Sequence, residues 1–311
     1  MMNILDVSKE DYKKFVINPF SGFDKVEFIE LNKEKVDKIK FFIFENNKKR
    51  FGFIGGILDD TLKCPFSATF GIFSEIAHNN KIQHYHEAVS ALIEWCKNEK
   101  IKKIIFCCPA NFYNEKHITK FQNALFCNKF SLLDYDVNFE YDLSKFNNGY
   151  IESLSSDARR NLKLALKENL IFEKTDDVGT VYRIIKQNRE EKGFPLWMSQ
   201  NDIENTEKII KSDFFVVKNK DHQPIASAYV QRIKERIANV VYWGNLQKYD
   251  KLYPMNFIAY KVFEYYSNKK NIDYISIGTS TKDSEPNYGL CDFKESIGCK
   301  CCAKLNFIKE L

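Results

Sequence analysis

Two segments, one in each half of the chain, contain the same series of predicted elements. In the first half, CPFSATFGIF (residues 64–73) has the apolar character of a strand, and a polar loop, an amphipathic helix and a second apolar strand follow it. In the second half, IANVVYWGN (residues 237–245) is followed by the same three elements over a similar length. The repeat predicts two similar domains in tandem, of the α/β (α+β) class.

Each predicted helix carries its apolar residues on one face at helical spacing. The two helices of the repeat are HYHEAVSALIEWCKNEK (residues 84–100) and MNFIAYKVFEYYSNKK (residues 255–270). Between residues 214 and 244, apolar runs separated by NKDHQP and IKER predict an antiparallel meander. Because helices and sheets bury one face against each other, we expect each domain to be a mixed, mostly antiparallel sheet flanked by helices.

A turn signal divides the chain near its middle. The segment DLSKFNNGYIESLSS (residues 142–156) contains Asn-Asn-Gly and ends in serines suited to cap a helix. It predicts an N-terminal domain over residues 1–148 and a C-terminal domain over residues 149–311. The helix predicted beyond it carries Arg159 and Arg160, which either lie on a solvated face or hold an anionic group of a substrate in bidentate fashion.

Composition excludes several classes of protein. The chain has 311 residues, of which 44% are hydrophobic and 29% charged, so it is long and apolar enough to fold into a sizeable core. The net charge of +5 is spread along the chain without a dense basic block, which argues against a DNA-binding protein. No apolar run is long enough for a transmembrane segment, and the first residues lack the pattern of a signal peptide. We therefore expect a cytoplasmic protein whose cysteines are reduced thiols and which uses no metal.

Three features converge on the predicted carboxyl ends of two neighbouring strands in the second domain. The helix after the first strand begins at YPMNF, with Pro254 in the first turn. The strand itself ends in the aromatic pair Tyr242 and Trp243, and the stretch NYGLCDFKESIG, residues 287–298, follows the second strand. Ligands of open α/β sheets bind beyond the carboxyl ends of strands. The stretch is read either as a solvated polar loop or as part of a binding cleft.

These segments resemble the GNAT acyltransferase fold, and two such units in tandem resemble the FemABX group of Fem-type transferases and acetyltransferase-like proteins. The resemblance is carried by LSSDARRNLKLALKENL, YPMNF, IGTS, PNYGLCDFKESIG and, in the first half, CPFSATFGIF. It covers most of the chain from about Cys64 onward, and FKESIG is its most specific element.

The resemblance implies acyl transfer from an activated donor to an amine of an amino sugar, an amino acid or a cell-envelope precursor. In GNAT enzymes the donor is an acyl-CoA such as acetyl-CoA, whose pyrophosphate lies at the start of the central helix. The glycine-rich signature Q/R-x-x-G-x-G/A of that helix start is absent here. Fem-type transferases take their acyl group from aminoacyl-tRNA instead, so tRNA stays an alternative partner. A third alternative is a protein on a duplicated fold that binds a ligand without catalysis.

The resemblance also implies roles for individual residues. Lys294 of the FK element would lie near the reacting carbonyl, where a cation stabilises the negative charge that develops on oxygen. Apart from the resemblance, the chemistry requires that the acceptor amine lose a proton to a carboxylate, a histidine or an ordered water, and Asp292 and Glu295 are the nearby carboxylates. Tyr288 and Tyr242 are the candidates for protonating the leaving group. The expected donor-binding residues are Tyr242, Trp243, Tyr253, Pro254, Met255, Asn256, Ser280 and Asn287. The first domain would shape the acceptor site through Phe66, Ser67 and Phe70, the alternative for these three being an ordinary core strand.

Overall fold

The computed structural model describes residues 2–311, and the chain divides into two compact units. Unit 1 contains the residues up to Val137 together with Asp283–Glu285 and Cys302–Leu311. Unit 2 contains Asn138–Lys282 and Pro286–Cys301. The end of the chain belongs to unit 1 because its last strand pairs with a strand of that unit, a contact between distant segments that local periodicity does not reveal. The domain boundary at 148/149 stays a prediction.

Unit 1 is built around a sheet with the strand order β1-β2-β3-β4-β6-β15, and β5 pairs with β3. Neighbouring strands are antiparallel except for the parallel pair β4–β6. The strands are β1 (Asn3–Asp6), β2 (Lys38–Asn46), β3 (Lys48–Leu58), β4 (Thr61–Cys64), β5 (Ser74–Glu75), β6 (Lys103–Cys107) and β15 (Lys300–Glu310), and the helices are α1 (Lys9–Phe15), α2 (Val26–Leu31), α3 (Ile82–Asn98) and α4 (Glu115–Cys127).

Unit 2 contains a sheet with the order β7-β12-β11-β10-β9-β8. Only β11 and β12 are parallel in it. Its strands are β7 (Ser131–Asp142, from Asn138 onward), β8 (Ile171–Thr175), β9 (Ser212–Lys218), β10 (Pro224–Lys234), β11 (Arg236–Asn245) and β12 (Ile272–Thr279). The short strands β13 (Thr281–Lys282) and β14 (Glu285–Pro286) follow. Its helices are α5 (Tyr150–Ser153), α6 (Ser156–Ala165), α7 (Val178–Glu191), α8 (Gln200–Glu207), α9 (Pro254–Ser267) and α10 (Tyr288–Ser296).

The core of each unit follows from the apolar periodicity of its elements. In α3 the buried residues Val89, Leu92, Ile93 and Cys96 are those that helical spacing places on one face. Strands rich in phenylalanine contribute buried rings that pack against one another and against the helices, such as Phe106 of β6, which contacts Phe121 of α4 edge to face at 5.1 Å between centroids. The predicted mixed sheets with flanking helices are confirmed in both units.

A buried ion cluster joins the edge of the unit 2 sheet to α9. The Asp213 carboxylate is fully buried and lies 2.6 Å from Lys174 Nζ and 2.9 Å from the Arg232 guanidinium. The Tyr266 hydroxyl of α9 donates to the same carboxylate at 2.7 Å. Two cations and a hydroxyl compensate the desolvation of one carboxylate, as a buried charge requires.

Two predicted elements differ from the structure. The run 64–73 was expected to be a strand, but β4 ends at Cys64 and residues 65–73 have no regular structure, because Pro65 and small polar residues interrupt the ladder. The stretch 287–298, one reading of which was a solvated loop, contains the helix α10. Asn287 caps that helix by accepting a hydrogen bond from the Leu290 amide at 3.0 Å.

Candidate active site

The two parallel strands of unit 2 pair along only part of their length. Pairing of β11 with β12 ends at Asn239 and Ser276, although β11 continues to Asn245. The pairing of β12 with β7, by contrast, runs from Tyr274 to the end of β12 at Thr279, with Gly278 opposite Phe139. Because two neighbouring strands separate at their carboxyl ends, backbone groups and side chains at those ends become available to a ligand.

Lys294 lies at the end of β12 and is the best-defined functional candidate. Its side chain projects from α10 and is 2% exposed. The Nζ donates to the Gly278 carbonyl at 2.8 Å and to the Thr279 carbonyl at 2.9 Å, and it lies 5.3 Å from the centre of the Phe139 ring. Two adjacent carbonyls can meet one amine because Gly278 has a φ of 74°, at a register shift in the pairing with β7.

The environment of Lys294 disfavours its charge. Burial lowers the pKa of Lys294 to about 7, Cys299 and Cys291 partly oppose this shift, and the positive charge of Arg189 adds the smallest contribution, in the lowering direction. Within residues 2–311, no carboxylate lies inside the 4.0 Å ion-pair distance of this amine. A neutral amine has two N–H groups for the two carbonyls and keeps a lone pair, whereas an ammonium has a third N–H for another acceptor. Near neutral pH both forms are populated.

Tyr242 and Trp243, expected to border one binding cleft as a pair, pack against different neighbours. Successive residues of a strand point to opposite faces, so Tyr242 and Trp243 separate. Tyr242 packs into a cluster with residues of α7 and α8, whereas the Trp243 ring contacts Phe293 of α10 at 6.1 Å between centroids. Trp243 therefore lies on the side of β11 from which α10 approaches.

Arg189 is a candidate that the sequence analysis missed. It lies in the last turn of α7, half-buried, with its guanidinium carbon 5.2 Å from the Tyr242 ring centre. Burial lowers the pKa of Arg189, and the Tyr242 hydroxyl partly opposes this. Nothing in the local pattern NREEKG distinguishes this arginine from solvated ones; only its packing does.

The start of α9 has the predicted form. Pro254 is in the first turn and is buried, and Tyr253 precedes it in the left-handed region with a φ of 52°. The side chains of Met255 and Asn256 are half-buried. Helix α9 has no side-chain cap, so its first amides are available to an anionic group.

Other predicted residues around α10 differ in exposure. Ser280 is 3% exposed and its hydroxyl is buried without a hydrogen-bond partner among the described residues. Its carbonyl accepts the Asn287 amide at 2.9 Å, so Asn287 has a structural role at the start of the helix. Tyr288 is 74% exposed, and Asp292 and Glu295 are exposed as well.

The predicted acceptor residues of unit 1 are held in ordinary packing. Phe66 lies against an apolar cluster, and Phe70 is buried with its ring 4.7 Å from that of Tyr113. The Ser67 hydroxyl donates to Asn32 Oδ1 at 2.7 Å and accepts from Lys35 Nζ at 2.6 Å. Phe66 and Phe70 thus pack against apolar residues, but the segment is not the core strand that the alternative assumed.

The two arginines at the start of unit 2 make local contacts. Arg159 donates to the carbonyls of Glu152 and Leu154 at 2.7 and 3.2 Å. Arg160 is exposed and pairs with Asp157 at 3.0 Å, one turn away on the same helix. Both guanidinium groups thus stabilise the beginning of α6 in this structure.

Comparison with known structures identifies the fold. Over 99% of the chain and 97% of its own length, FemX superposes with a TM-score of 0.71 at 13% identity. The fold is that of FemX and of tandem GNAT proteins. The C-terminal domain of a putative lysylphosphatidylglycerol synthetase from Agrobacterium fabrum gives a TM-score of 0.61 at 10% identity, covering 98% of this chain and 93% of its own.

A tandem GNAT protein of the clavulanic acid biosynthesis pathway gives a TM-score of 0.56 at 6% identity, over 100% of this chain and 98% of its own. The tandem-GNAT resemblance read from the sequence is thereby confirmed at the level of the fold. No family model matches the chain, and neither does any curated protein.

Across residues 2–311, no group of three or more His, Cys, Asp or Glu side chains is arranged to hold a metal ion. In the same range, every helix is too short or too polar to span a bilayer.

Proposed function

We propose that this chain is an N-acyltransferase that moves an acyl or aminoacyl group from an activated ester or thioester to an amine. The observation that carries the proposal is the position of Lys294, buried at the carboxyl end of β12 with two bonds to backbone carbonyls. Its FK element and the FemX-like fold support the same reading.

The chemistry uses the third donor position of Lys294. Attack of an amine on the donor carbonyl produces a tetrahedral intermediate with negative charge on oxygen. The hydrogen bonds to the two backbone carbonyls fix the position of the Nζ, so the third N–H of the ammonium is oriented before the reaction. This N–H stabilises the negatively charged oxygen of the intermediate more than it stabilises the carbonyl oxygen of the bound donor. The intermediate then collapses as the C–O or C–S bond of the donor breaks, and the proton of the attacking amine passes to solvent or to a base.

The donor is the finer part of the proposal. The amides that begin α9 support a CoA pyrophosphate, which would lie against Tyr253, Pro254, Met255 and Asn256. The missing glycine-rich signature and the FemX-like fold favour aminoacyl-tRNA as the alternative. The acceptor proposed is an amino sugar, an amino acid or a cell-envelope precursor.

The test compares Lys294→Gln with Lys300→Gln, which removes an exposed lysine. Acyl transfer to a panel of amines is measured with acetyl-CoA and with aminoacyl-tRNA as donors. Loss of one oxyanion donor lowers kcat about 100- to 1,000-fold, so Lys294→Gln should be nearly inactive and Lys300→Gln unchanged. Equal turnover by the wild type and Lys294→Gln would refute the proposed role, and transfer from neither donor would favour a binding protein.

A further inference from the structure

The unusual feature of Arg189 is the lack of an oxygen acceptor for its guanidinium. The chain contains seven arginines. Six of them donate to, or pair with, an oxygen of the protein: Arg50, Arg159, Arg160, Arg183, Arg232 and Arg236. Among residues 2–311, the guanidinium of Arg189 has no hydrogen bond or ion pair with the protein, and its carbon lies 5.2 Å from the ring centre of Tyr242 and 6.0 Å from that of Phe194.

Because the guanidinium of Arg189 lies beside aromatic rings and not beside an oxygen of the protein, it is available to bind a carboxylate or phosphate in bidentate fashion. A guanidinium held by an aromatic ring keeps its N–H groups in the plane, directed away from the ring. Arg189 is half-buried, so its donors are partly desolvated and a carboxylate or phosphate would be bound more strongly than at an exposed arginine. Arg183, the exposed arginine of α7, lacks this arrangement and donates to Thr180 Oγ1 at 2.9 Å.

The loop after α7 holds the site in place. The chain turns at Gly193, whose φ is 69°, and the Phe194 amide donates to the Arg189 carbonyl at 2.9 Å. Backbone groups of Trp197 and Met198 interact with the Tyr242 hydroxyl, and this contact opposes the rise in the pKa of Tyr242 that burial causes. The same loop leaves the Trp197 side chain 80% exposed.

The charges near Lys294 also favour an anion-binding site at Arg189. Arg189 is close enough for its charge to act on Lys294, and neither group has a carboxylate partner within residues 2–311. Two half-buried or buried basic groups without a counterion repel each other, and an anion bound between or beside them would relieve the repulsion.

We propose that Arg189 binds an anionic group of the substrate, a phosphate or a carboxylate, and thereby positions the reacting part of that molecule beside Lys294. That the bound molecule is a substrate rests on the proposed acyl transfer. Binding of an anion by Arg189 does not depend on it. A phosphate would come from the donor, as in CoA or the end of a tRNA, and a carboxylate from the acceptor.

The experiment measures binding first, without turnover. Inorganic pyrophosphate, CoA and citrate are titrated calorimetrically into the wild type, Arg189→Gln, Arg189→Lys and the control Arg183→Gln. Hydrogen bonds to charged groups correspond to about a tenfold to hundredfold change in affinity. We expect Arg189→Gln to lose that much affinity for at least one probe, Arg189→Lys to recover part of it, and Arg183→Gln to match the wild type.

Melting temperatures of the variants separate binding from folding. The inference is overturned if Arg189→Gln binds the probes as tightly as the wild type does. It is also overturned if the wild type binds none of the three probes. If acyl transfer is observed, Arg189→Gln should raise the KM of the donor for a phosphate or of the acceptor for a carboxylate, with a smaller change in kcat. Active enzyme with both KM values unchanged refutes the Arg189 site alone, whereas anion binding by Arg189 in an inactive protein refutes only the proposed function.

Discussion

Replacing Lys294 by methionine should change how the stability of the protein depends on pH. Methionine retains most of the length of the buried lysine stem but has no group that titrates. In the wild type, burial lowers the pKa of Lys294 to about 7 from its ordinary 10.5. Between these two values the unfolded chain binds a proton at Lys294 that the folded chain lacks.

The sign and size of the effect follow from proton linkage. Stability rises with pH wherever the unfolded state binds more protons. The contribution of Lys294 is therefore least favourable below pH 7 and improves up to about pH 10.5. Integrating between pH 7 and pH 9 gives a gain of about 2 kcal/mol in the free energy of unfolding, which the methionine variant lacks.

Urea unfolding at pH 6, 7, 8 and 9 measures this difference. The other titrating groups are common to both proteins, so the difference in unfolding free energy between wild type and Lys294→Met isolates the lysine. Lys300→Met, at an exposed position, serves as the control and should run parallel to the wild type. A wild-type curve parallel to that of Lys294→Met across this range would show that the ammonium is not desolvated in the fold.

Two further predictions concern stability. Asp213→Asn removes the charge from the buried ion cluster and should cost about 3–5 kcal/mol, whereas Asp273→Asn in an exposed pair should cost at most about 1 kcal/mol; equal effects in denaturant titrations would contradict the assignment of the cluster. Gly244→Ala places a methyl group against the Asn188 side chain and should cost about 1–3 kcal/mol. Gly289→Ala, whose nearest neighbour is 3.8 Å away, should be tolerated, and a tolerated Gly244→Ala would refute the close packing of α7 on β11.

Local sequence determined the elements of this protein. Apolar spacing in residues 84–100 and 255–270 predicted α3 and α9 within a few residues, because a helix on a sheet must bury one face at its own period. The meander β9–β10–β11 and the first-turn Pro254 were likewise readable, since turn residues and proline act through local backbone geometry.

The candidate site was only partly readable. Lys294 was singled out from its sequence motif, but its burial comes from the packing of α10 on the end of β12, which involves residues 16 positions apart. The separation of Tyr242 from Trp243 follows from strand alternation and was open to prediction. Arg189 was not, because its isolation from acceptors depends on rings supplied by β11 and by the loop after α7.

The sequence by itself determined elements such as α3, α9 and the meander β9–β10–β11, together with the apolar faces that they bury, because those properties depend on neighbours within a few positions. It did not determine the irregular course of residues 65–73 or the helix α10. Tertiary structure alone decided that β15 joins the sheet of unit 1, that β11 and β12 separate, and that Lys294 is buried without a carboxylate partner while the charge of Arg189 acts on it. These outcomes depend on contacts between distant parts of the chain, whose desolvation sets the chemistry of the side chains and leaves no mark on local pattern.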